Sequence, residues 1–244
     1  TVSRQKAKFN AFDDGTRYPI NVAVVNADQF GLWAEDVGAE LLADRYTIGM
    51  WAWEVEEFPD IYNGAFSLVD EIWAISRFVR DAIAAKTDKP VYVFPHPIPL
   101  PDLKTILPLD RESLGLSEES YFLFVFDYLS VFERKNPLAV VRAFTSAFSD
   151  SEGPQLVIKT INGHRCQTDR ERLRLACSVR SDIKLVEEYL DSDVLGSLMA
   201  NATAYVSLHR SEGYGHTMSE AMSLGRPVIA TAYSGNMDFM DETN

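Results

Sequence analysis

The sequence has few cysteines and no long apolar segment. Its two cysteines, Cys166 and Cys177, do not form a CxxC pair, so the sequence predicts free thiols in a reducing cytoplasm. No stretch approaches the roughly 18 apolar residues that a transmembrane helix requires, and the first residues lack the apolar core of a signal peptide. These absences disfavour a secreted disulfide scaffold and an integral membrane protein.

Two binding motifs are also absent. The glycines do not form the Gly-x-Gly-x-x-Gly fingerprint of dinucleotide-binding proteins. The histidines show no spacing typical of metal ligands. They are His96, His164, His209 and His216. We therefore expect neither a cofactor nor a metal ion.

Basic residues are outnumbered by acidic ones. The chain contains 23 Lys and Arg against 36 Asp and Glu, which gives a formal net charge of −13. Such a surface repels polyphosphate, so we expect no non-specific binding of nucleic acid. A small anionic ligand would need a local site made of backbone N–H groups and a few cations.

Short apolar runs alternate with longer helical patterns along the chain. Runs of three or four apolar residues are typical of strands buried on both faces, and their alternation with helices predicts an α/β fold with parallel sheets. The predicted strands are Ile20–Ala27, Tyr46–Trp53, Glu71–Ser76, Val91–Phe94, Phe122–Phe126, Leu156–Ile161, Lys184–Val186, Ala204–Leu208 and Pro227–Ala230. The predicted helices include Ala34–Ala43, Arg77–Lys86, Pro137–Phe148, Arg170–Val179, Asp193–Ala200 and His216–Leu224.

Proline interrupts this alternation in one segment, between residues 95 and 109. The prolines there are Pro95, Pro97, Pro99, Pro101 and Pro108. Because proline fixes φ and lacks an amide N–H group, the segment is predicted to be an extended connector. We place a domain boundary in it, which divides the chain into α/β units of residues 1–101 and 102–244.

Several residues are typical of helix ends. Asn136 followed by Pro137 fits an N-cap and a first helical residue, and Gly225 fits the end of the helix that begins near residue 216. The run 191–193, Asp-Ser-Asp, has the form of an Asp-x-Asp metal-binding motif. Its place before a predicted helix favours a cap with acidic residues in the first turn.

The segment from Ala204 to Thr231 joins a predicted strand, a glycine-bearing loop, a helix and a second strand. In parallel sheets, ligands bind beyond the carboxyl ends of strands, where such loops lie. Gly213 and Gly215 allow the backbone to approach a ligand closely, and the unpaired N–H groups at the helix start favour an anion. A glycine-rich turn between a strand and a helix is common, however, and is a weak signal by itself.

Two glutamates lie on either side of the predicted helix start. Glu220 lies within the helix beside Met218 and Ala221, and a carboxylate near a buried face needs a partner. A pair of ligand hydroxyls is one candidate partner, and a glutamate that simply faces solvent is the alternative. Glu212 lies in the preceding loop, where its side chain would meet the same ligand at another point.

This segment resembles the Glu-x7-Glu signature of the family 4 retaining glycosyltransferases, which have the GT-B fold. The resemblance includes the run 225–231, Gly-Arg-Pro-Val-Ile-Ala-Thr, and Ser234-Gly235, and it covers most of the chain. It implies an α/β fold with two Rossmann-like domains facing a cleft. Residues 1–101 would form the acceptor-side domain and residues 102–244 the donor-binding domain, and both would be incomplete.

The resemblance assigns roles to the two glutamates and to the loop between them. In that family the second glutamate binds the ribose hydroxyls of the nucleotide, and the first lies beside the donor sugar. Here those roles fall to Glu220 and Glu212. Backbone amides of the intervening loop would face the sugar and the diphosphate. That loop consists of Gly213, Tyr214, Gly215, His216 and Thr217.

The resemblance also predicts cations at the diphosphate. It identifies Phe122–Asn136 as the first strand and loop of the donor domain, where the family has an arginine and a lysine. Lys135 matches the lysine, and Arg134 substitutes for an arginine whose usual position holds another residue type here. A solvated pair near a helix start is the alternative for both. Lys159, at the end of a predicted strand, is expected to contact phosphate or sugar, or else to lie on the surface.

The activity implied by the resemblance is transfer of a sugar from a nucleoside diphosphate sugar to a hydroxyl acceptor, with retention at the anomeric carbon and without a metal. Glu212 and Lys135 are the expected catalytic residues, because one would position the sugar and the other would stabilise the departing diphosphate. The alternatives are a related epimerase or phosphorylase, and a non-catalytic module that binds nucleotide sugar or acts as a scaffold. The expected partners are the donor, a glycan or other hydroxyl acceptor, and a second copy of the chain.

Aromatic and acidic residues also lie at the end of a predicted strand of the first unit and directly after it. They are Trp51, Trp53, Glu54, Glu56 and Glu57. Tryptophan stacks on sugars and carboxylates accept hydroxyl hydrogens, so these residues are candidates to line an acceptor site. Tryptophans in an α/β unit more often belong to the core, which is the alternative.

Overall fold

The computed structural model describes residues 18–98 and 108–241. They form two compact units that divide between Pro95 and His96. The boundary predicted between residues 101 and 102 lies outside the described residues. In the described part of the chain, no helix is both long enough and apolar enough to cross a membrane.

The first unit contains a parallel sheet of four strands. The strands are β1 (Ile20–Ala23), β2 (Tyr46–Trp51), β3 (Glu71–Ala74) and β4 (Val91–Val93), in that order across the sheet. The helices are α1 (Ala27–Val37), α2 (Ala39–Leu42) and α3 (Arg77–Ala84), with a 3-10 segment at Asp60–Leu68. Trp51 is fully buried and packs against Phe30 and Phe58, so it belongs to the core rather than to an acceptor site.

The second unit contains a parallel sheet of five strands. They are β5 (Tyr121–Asp127), β6 (Gln155–Ile161), β7 (Ile183–Val186), β8 (Ala204–Ser207) and β9 (Val228–Ala230). Their order across the sheet is β7-β6-β5-β8-β9. The helices are α4 (Phe132–Lys135), α5 (Pro137–Ala147), α6 (Gln167–Cys177), α7 (Ser192–Ala200) and α8 (His216–Ser223), with short 3-10 segments at Tyr128–Ser130, Gly163–Arg165 and Gly235–Asp238. Every residue of β6 except Ile161 is buried, as expected for a strand covered on both faces.

Each predicted strand has a counterpart, and the α/β fold with parallel sheets is confirmed. Lys159 does not end its strand, because β6 continues to Ile161. The helix predicted over Ala34–Ala43 has the wrong bounds. Helix α1 begins at Ala27, and Gly38, with φ of +80°, separates it from α2.

The predicted helix ends are confirmed in position, but one predicted capping residue makes no capping hydrogen bond. Gly225 follows α8 with φ of +69°, its N–H group donates to the Met222 carbonyl, and the Arg226 N–H group donates to the Ala221 carbonyl. This pattern closes the helix with a Schellman motif. Asn136 occupies the N-cap of α5, but its side chain makes no capping hydrogen bond. That side chain donates a hydrogen bond to the Leu208 carbonyl oxygen instead.

Candidate functional site

The strand order of the second sheet reverses between β5 and β8. Strands β6 and β7 lie on one side of β5, whereas β8 and β9 lie on the other. Such a reversal leaves a crevice at the carboxyl ends of the two neighbouring strands. The segment after β5 contains Arg134 and Lys135, and the segment after β8 contains Glu212. The topology thus brings together side chains that are 77 or 78 positions apart in sequence.

Helix α4 presents Arg134 and Lys135 to this crevice. Val131 precedes the helix with φ of +63°, and Asn136 ends it in the left-handed conformation with φ of +55°. The Asn136 side-chain amide donates to the Leu208 carbonyl oxygen at 2.7 Å, and the Arg210 N–H group donates to the Arg134 carbonyl oxygen at 2.8 Å. These two bonds fix the segment after β5 against the segment after β8.

Glu212 forms ion pairs with both cations. Lys135 Nζ lies 2.5 Å from Glu212 Oε1, and Arg134 Nη1 lies 3.1 Å from Glu212 Oε2. The three side chains are only 10 to 16% exposed. Arg134 Nη1 also donates to the Ser211 carbonyl oxygen at 3.0 Å. The alternative that Arg134 and Lys135 form a solvated pair is therefore wrong.

Electrostatics keeps the Glu212 carboxylate ionised. Burial opposes its charge, but the positive charges of Lys135 and Arg134 outweigh the loss of solvation and lower the pKa of Glu212. A hydrogen bond from Lys135 acts in the same direction. The cluster of three groups carries one net positive charge, which suits an anionic ligand.

The backbone of Glu212 is held by the segment after β9. Its N–H group donates to Ser234 Oγ at 2.8 Å, and its carbonyl accepts from the Gly235 N–H group at 2.9 Å. Gly235 lies so close to the peptide of Gly213 and Tyr214 that a Cβ atom there would overlap the Gly213 carbonyl. The absence of a side chain at Gly235 therefore allows the loop after β8 to take its shape.

The loop ends at the amino terminus of α8. Gly215 has φ of +98°, which favours glycine, and its carbonyl accepts from the amides of Met218 and Ser219. Among the described residues, the amide N–H groups of His216 and Thr217 have no hydrogen-bond acceptor. Free amides at a helix start favour a negatively charged group.

The side chains of this loop pack on one another. The Tyr214 ring lies 5.1 Å from that of His216 and 5.0 Å from that of Phe239, and the His216 ring also stacks on His96 at 5.3 Å. Burial lowers the pKa of His216, and the charges of His96 and Lys135 lower it further. The Thr217 hydroxyl accepts a hydrogen bond from Tyr205 at 2.7 Å, which ties the helix start to β8.

Glu220 lies one helical turn after His216, on the same face of α8. It is half-buried, and within residues 18–98 and 108–241 its carboxylate has no hydrogen bond or ion pair. Burial raises its pKa. The alternative of a glutamate that simply faces solvent does not fit this environment.

Lys159 lies within β6, the strand next to β5. Its side chain is buried, its amine donates to the Thr160 carbonyl oxygen at 3.0 Å, and burial lowers its pKa to about 8. In the described chain it has no hydrogen bond or ion pair with Arg134, Lys135 or Glu212. Ordinary surface placement is therefore wrong for Lys159, and contact with phosphate or sugar stays a prediction.

The sequence pattern predicts no role for His209, which is a buried link between two loops. Its Nε2 atom faces two acceptors, the Tyr233 carbonyl at 3.2 Å and Asn236 Oδ1 at 3.1 Å. We therefore assign the proton to Nε2, so that Nδ1 accepts from Ser207 Oγ at 3.0 Å. Its position two residues after a buried strand was the only sequence signal for this role.

The described residues contain no group of three or more His, Cys, Asp or Glu side chains that fits a metal ion. Asp191 is the N-cap of α7 and Asp193 lies in its first turn, as predicted, although Asp191 makes no side-chain capping bond. The two cysteines are free, and burial raises the pKa of Cys177 to about 12.

Comparison with known proteins gives a match to one family model. The model described as Glycosyl transferases group 1 matches residues 109–244. This range includes all the residues of the cluster after β5 and β8. Comparison with the sequences of curated proteins gives no match.

Three solved structures with a similar fold are related to UDP. Two of them are complexes that contain UDP, and the third is described as a UDP-forming enzyme. HepE from Anabaena, in complex with UDP and glucose, has a TM-score of 0.72 at 16% identity over 92% of this chain and 62% of its own. A UDP-forming α,α-trehalose-phosphate synthase from Burkholderia vietnamiensis has a TM-score of 0.60 at 11% identity over 81% and 55%. A variant of TarM from S. aureus, in complex with fondaparinux, α-GlcNAc-glycerol and UDP, has a TM-score of 0.59 at 13% identity over 83% and 40%.

At these identities the likeness establishes the fold alone. The two parallel α/β sheets match those of GT-B glycosyltransferases, which confirms the predicted fold class. The chain spans about three fifths of the length of HepE and less of the other two structures.

Proposed function

The chain belongs to the group 1 glycosyl transferases, and on this premise we propose that it binds a nucleoside diphosphate sugar for retaining transfer to a hydroxyl acceptor. The second unit would bind the donor, and the first would serve the acceptor. The proposed reaction uses no metal. UDP sugars are the first donors to test, because structures of similar fold contain UDP.

One observation carries this proposal. The free amides of His216 and Thr217 begin a helix in the same loop system that pairs Glu212 with Arg134 and Lys135. Helix-terminal amides together with an arginine and a lysine are the groups that bind a diphosphate. In a chain of net charge −13, such a local concentration of donors and cations favours a specific anion.

Glu220 is proposed to bind the ribose. It lies one helical turn after the free amides at the start of α8, and its carboxylate lacks a protein partner in the described residues. The two hydroxyls of a ribose would donate to its two oxygens, as they do in the family that the sequence resembles. The same ligand would then extend from Glu220 to the helix start.

The proposed chemistry breaks the bond between the anomeric carbon and the diphosphate oxygen, through an oxocarbenium-like transition state. Lys135 and the amides of His216 and Thr217 stabilise the charge that develops on the departing diphosphate. The acceptor oxygen bonds to the anomeric carbon on the face from which the diphosphate leaves. This attack on the same face retains the configuration, and the acceptor hydroxyl proton passes to an oxygen of the departing diphosphate. Glu212 positions the sugar.

Incubation with labelled nucleoside diphosphate sugars and hydroxyl acceptors tests the proposed activity. The expected product is a glycoside with the anomeric configuration of the donor. The Glu212→Ala variant should transfer about 10²–10³ times more slowly, because a transition-state contact is lost. The Glu133→Ala variant is the matched control, since Glu133 is exposed and pairs with Arg172.

Other products of the same incubation would indicate one of the alternative functions. An epimerised nucleotide sugar or a free sugar phosphate would indicate an epimerase or a phosphorylase. Nucleotide binding without turnover would indicate a binding module. Near-normal transfer by the Glu212→Ala variant would contradict the role given to that residue.

A further inference from the structure

The cations of the proposed diphosphate site are already paired with Glu212. One carboxylate oxygen contacts Lys135 at 2.5 Å and the other contacts Arg134 at 3.1 Å. The proposed roles conflict with this arrangement, since Glu212 is needed at the sugar while both of its oxygens are bound to protein cations. Lys135 and Arg134 are needed at the diphosphate while both are bound to Glu212.

An exchange of partners resolves the conflict. A diphosphate carries more charge than a carboxylate and offers more acceptor oxygens, so it forms the stronger hydrogen bonds with arginine and lysine. Arg134 remains anchored during the exchange, because its Nη1 atom also donates to the Ser211 carbonyl. The Glu212 backbone is held by Ser234 and Gly235, so only the Glu212 side chain needs to turn.

We propose that Glu212 competes internally with the donor diphosphate for Arg134 and Lys135, and that the carboxylate released by the diphosphate then accepts hydrogen bonds from the donor sugar. This inference rests on the proposed function. It assigns Glu212 a second role, which is to discriminate the nucleotide sugar from the nucleoside diphosphate that remains after transfer.

The discrimination follows from burial. Glu212 is buried, with its side chain only 10% exposed, and a buried carboxylate without partners is unfavourable. The intact donor supplies sugar hydroxyls that replace the two cations. The product nucleoside diphosphate has no sugar, so Glu212 regains Arg134 and Lys135 only when the product leaves. The ion pairs therefore favour product release.

Titration calorimetry on the full chain tests this competition. UDP, GDP and ADP are titrated first to find the nucleotide that binds, and the corresponding nucleotide sugar is titrated next. The Glu212→Gln variant removes the charge and keeps the size of the side chain. Its affinity for the nucleoside diphosphate should rise about tenfold, because both cations become available to phosphate. Its affinity for the nucleotide sugar should rise less, since the sugar loses its carboxylate partner.

The Glu133→Gln variant is the matched control. It removes the same charge from the residue that precedes Arg134, but Glu133 is exposed and pairs with Arg172. Its nucleotide affinity should stay within about twofold of the unmodified value, as expected for a screened surface charge. Thermal melts establish that each variant is folded, and Glu212→Ala replaces Glu212→Gln if the latter does not fold.

The outcomes separate this inference from the proposed function. An unmodified chain that binds no nucleoside diphosphate contradicts the proposed function, and the inference fails with it. Nucleotide binding that is unchanged or weakened in the folded Glu212 variant overturns the inference alone. An equal gain for the nucleoside diphosphate and the nucleotide sugar contradicts the discrimination.

Discussion

Glu220 combines a position in the proposed ribose site with an unfavourable environment. Burial raises its pKa, and in the described part of the chain no side chain pairs with its carboxylate. A carboxyl group whose pKa is higher in the folded chain than in the unfolded chain favours folding below its unfolded pKa. That contribution is lost as the pH rises through the folded pKa. Ionisation of Glu220 as the pH rises therefore lowers stability, which is typical of a residue kept for binding.

The Glu220→Gln variant should be more stable than the unmodified chain at pH 7, by about 1 kcal/mol. The difference should vanish below about pH 4, where the unfolded glutamate is also protonated. Donor affinity should fall about tenfold, because hydrogen bonds to a charged group are lost. Thermal melts between pH 4 and 8 and nucleotide titration measure the two effects.

An exposed helical glutamate provides the control for this variant. Glu171 in α6 is 68% exposed and pairs only with Arg174 among the described residues. The Glu171→Gln variant should leave donor affinity unchanged. A Glu220→Gln variant that is no more stable at pH 7, or that keeps full affinity, would contradict the account of Glu220.

The sequence predicts which residues lie at the proposed site but not how they pair. Glu220 is predicted as a ligand-binding residue because it has apolar neighbours in a helix. Glu212 and Lys135 are predicted from the resemblance to a family. The ion pairs among Glu212, Arg134 and Lys135 were not predictable, because they depend on the adjacency of β5 and β8. The link made by His209 depends in the same way on the loop after β9.

At the scale of elements, the segment Ser234–Asn236 determines the shape of the loop after β8. Ser234 and Gly235 bond to the backbone of Glu212, and Asn236 bonds to His209. Gly235 packs directly on the peptide between Gly213 and Tyr214. The position of the free amides at the start of α8 therefore depends on a segment that contributes no side chain to the proposed ligand contacts.

The Gly235→Ala variant tests this dependence. Its Cβ atom would overlap the Gly213 carbonyl and lie 2.7 Å from the Tyr214 amide nitrogen, and neither backbone atom can move without shifting the loop. Sugar transfer should fall about 10²-fold, as expected when binding groups are displaced by about 1 Å. Initial rates with a labelled donor measure the effect.

Gly196 offers a matched control in α7. A Cβ atom there has no neighbour within 4 Å, so alanine meets no obstacle. The Gly196→Ala variant should gain about 0.5–1 kcal/mol of stability, because glycine is unfavourable within a helix. Its transfer rate should be unchanged. If Gly235→Ala transferred sugar as fast as this control, the segment after β9 would not shape the donor loop.

Elements with strong local patterns were predictable, and those imposed by tertiary contacts were not. The buried runs of β5 and β6 identified both strands to within one residue at each end. Helix α4 has only four residues between two residues of positive φ, and its place is fixed by contacts with the segment after β8. No periodic pattern of apolar residues marks so short a helix.

At the scale of the whole molecule, the charge of the proposed site is opposite in sign to the net charge of the chain. The chain carries a net charge of −13, whereas Glu212, Arg134 and Lys135 together carry one positive charge. The acidic surface disfavours large polyanions, and the local cations and helix amides select a small one. All the groups proposed to bind the diphosphate belong to the second unit, which has its own core.

The most direct test of the central claim is a crystal structure of the chain with a bound nucleoside diphosphate. The account predicts that the diphosphate contacts the amides of His216 and Thr217 together with Arg134 and Lys135, and that the ribose hydroxyls donate to Glu220. Glu212 should have turned away from both cations. A nucleotide bound elsewhere, or one whose ribose does not reach Glu220, would contradict the account.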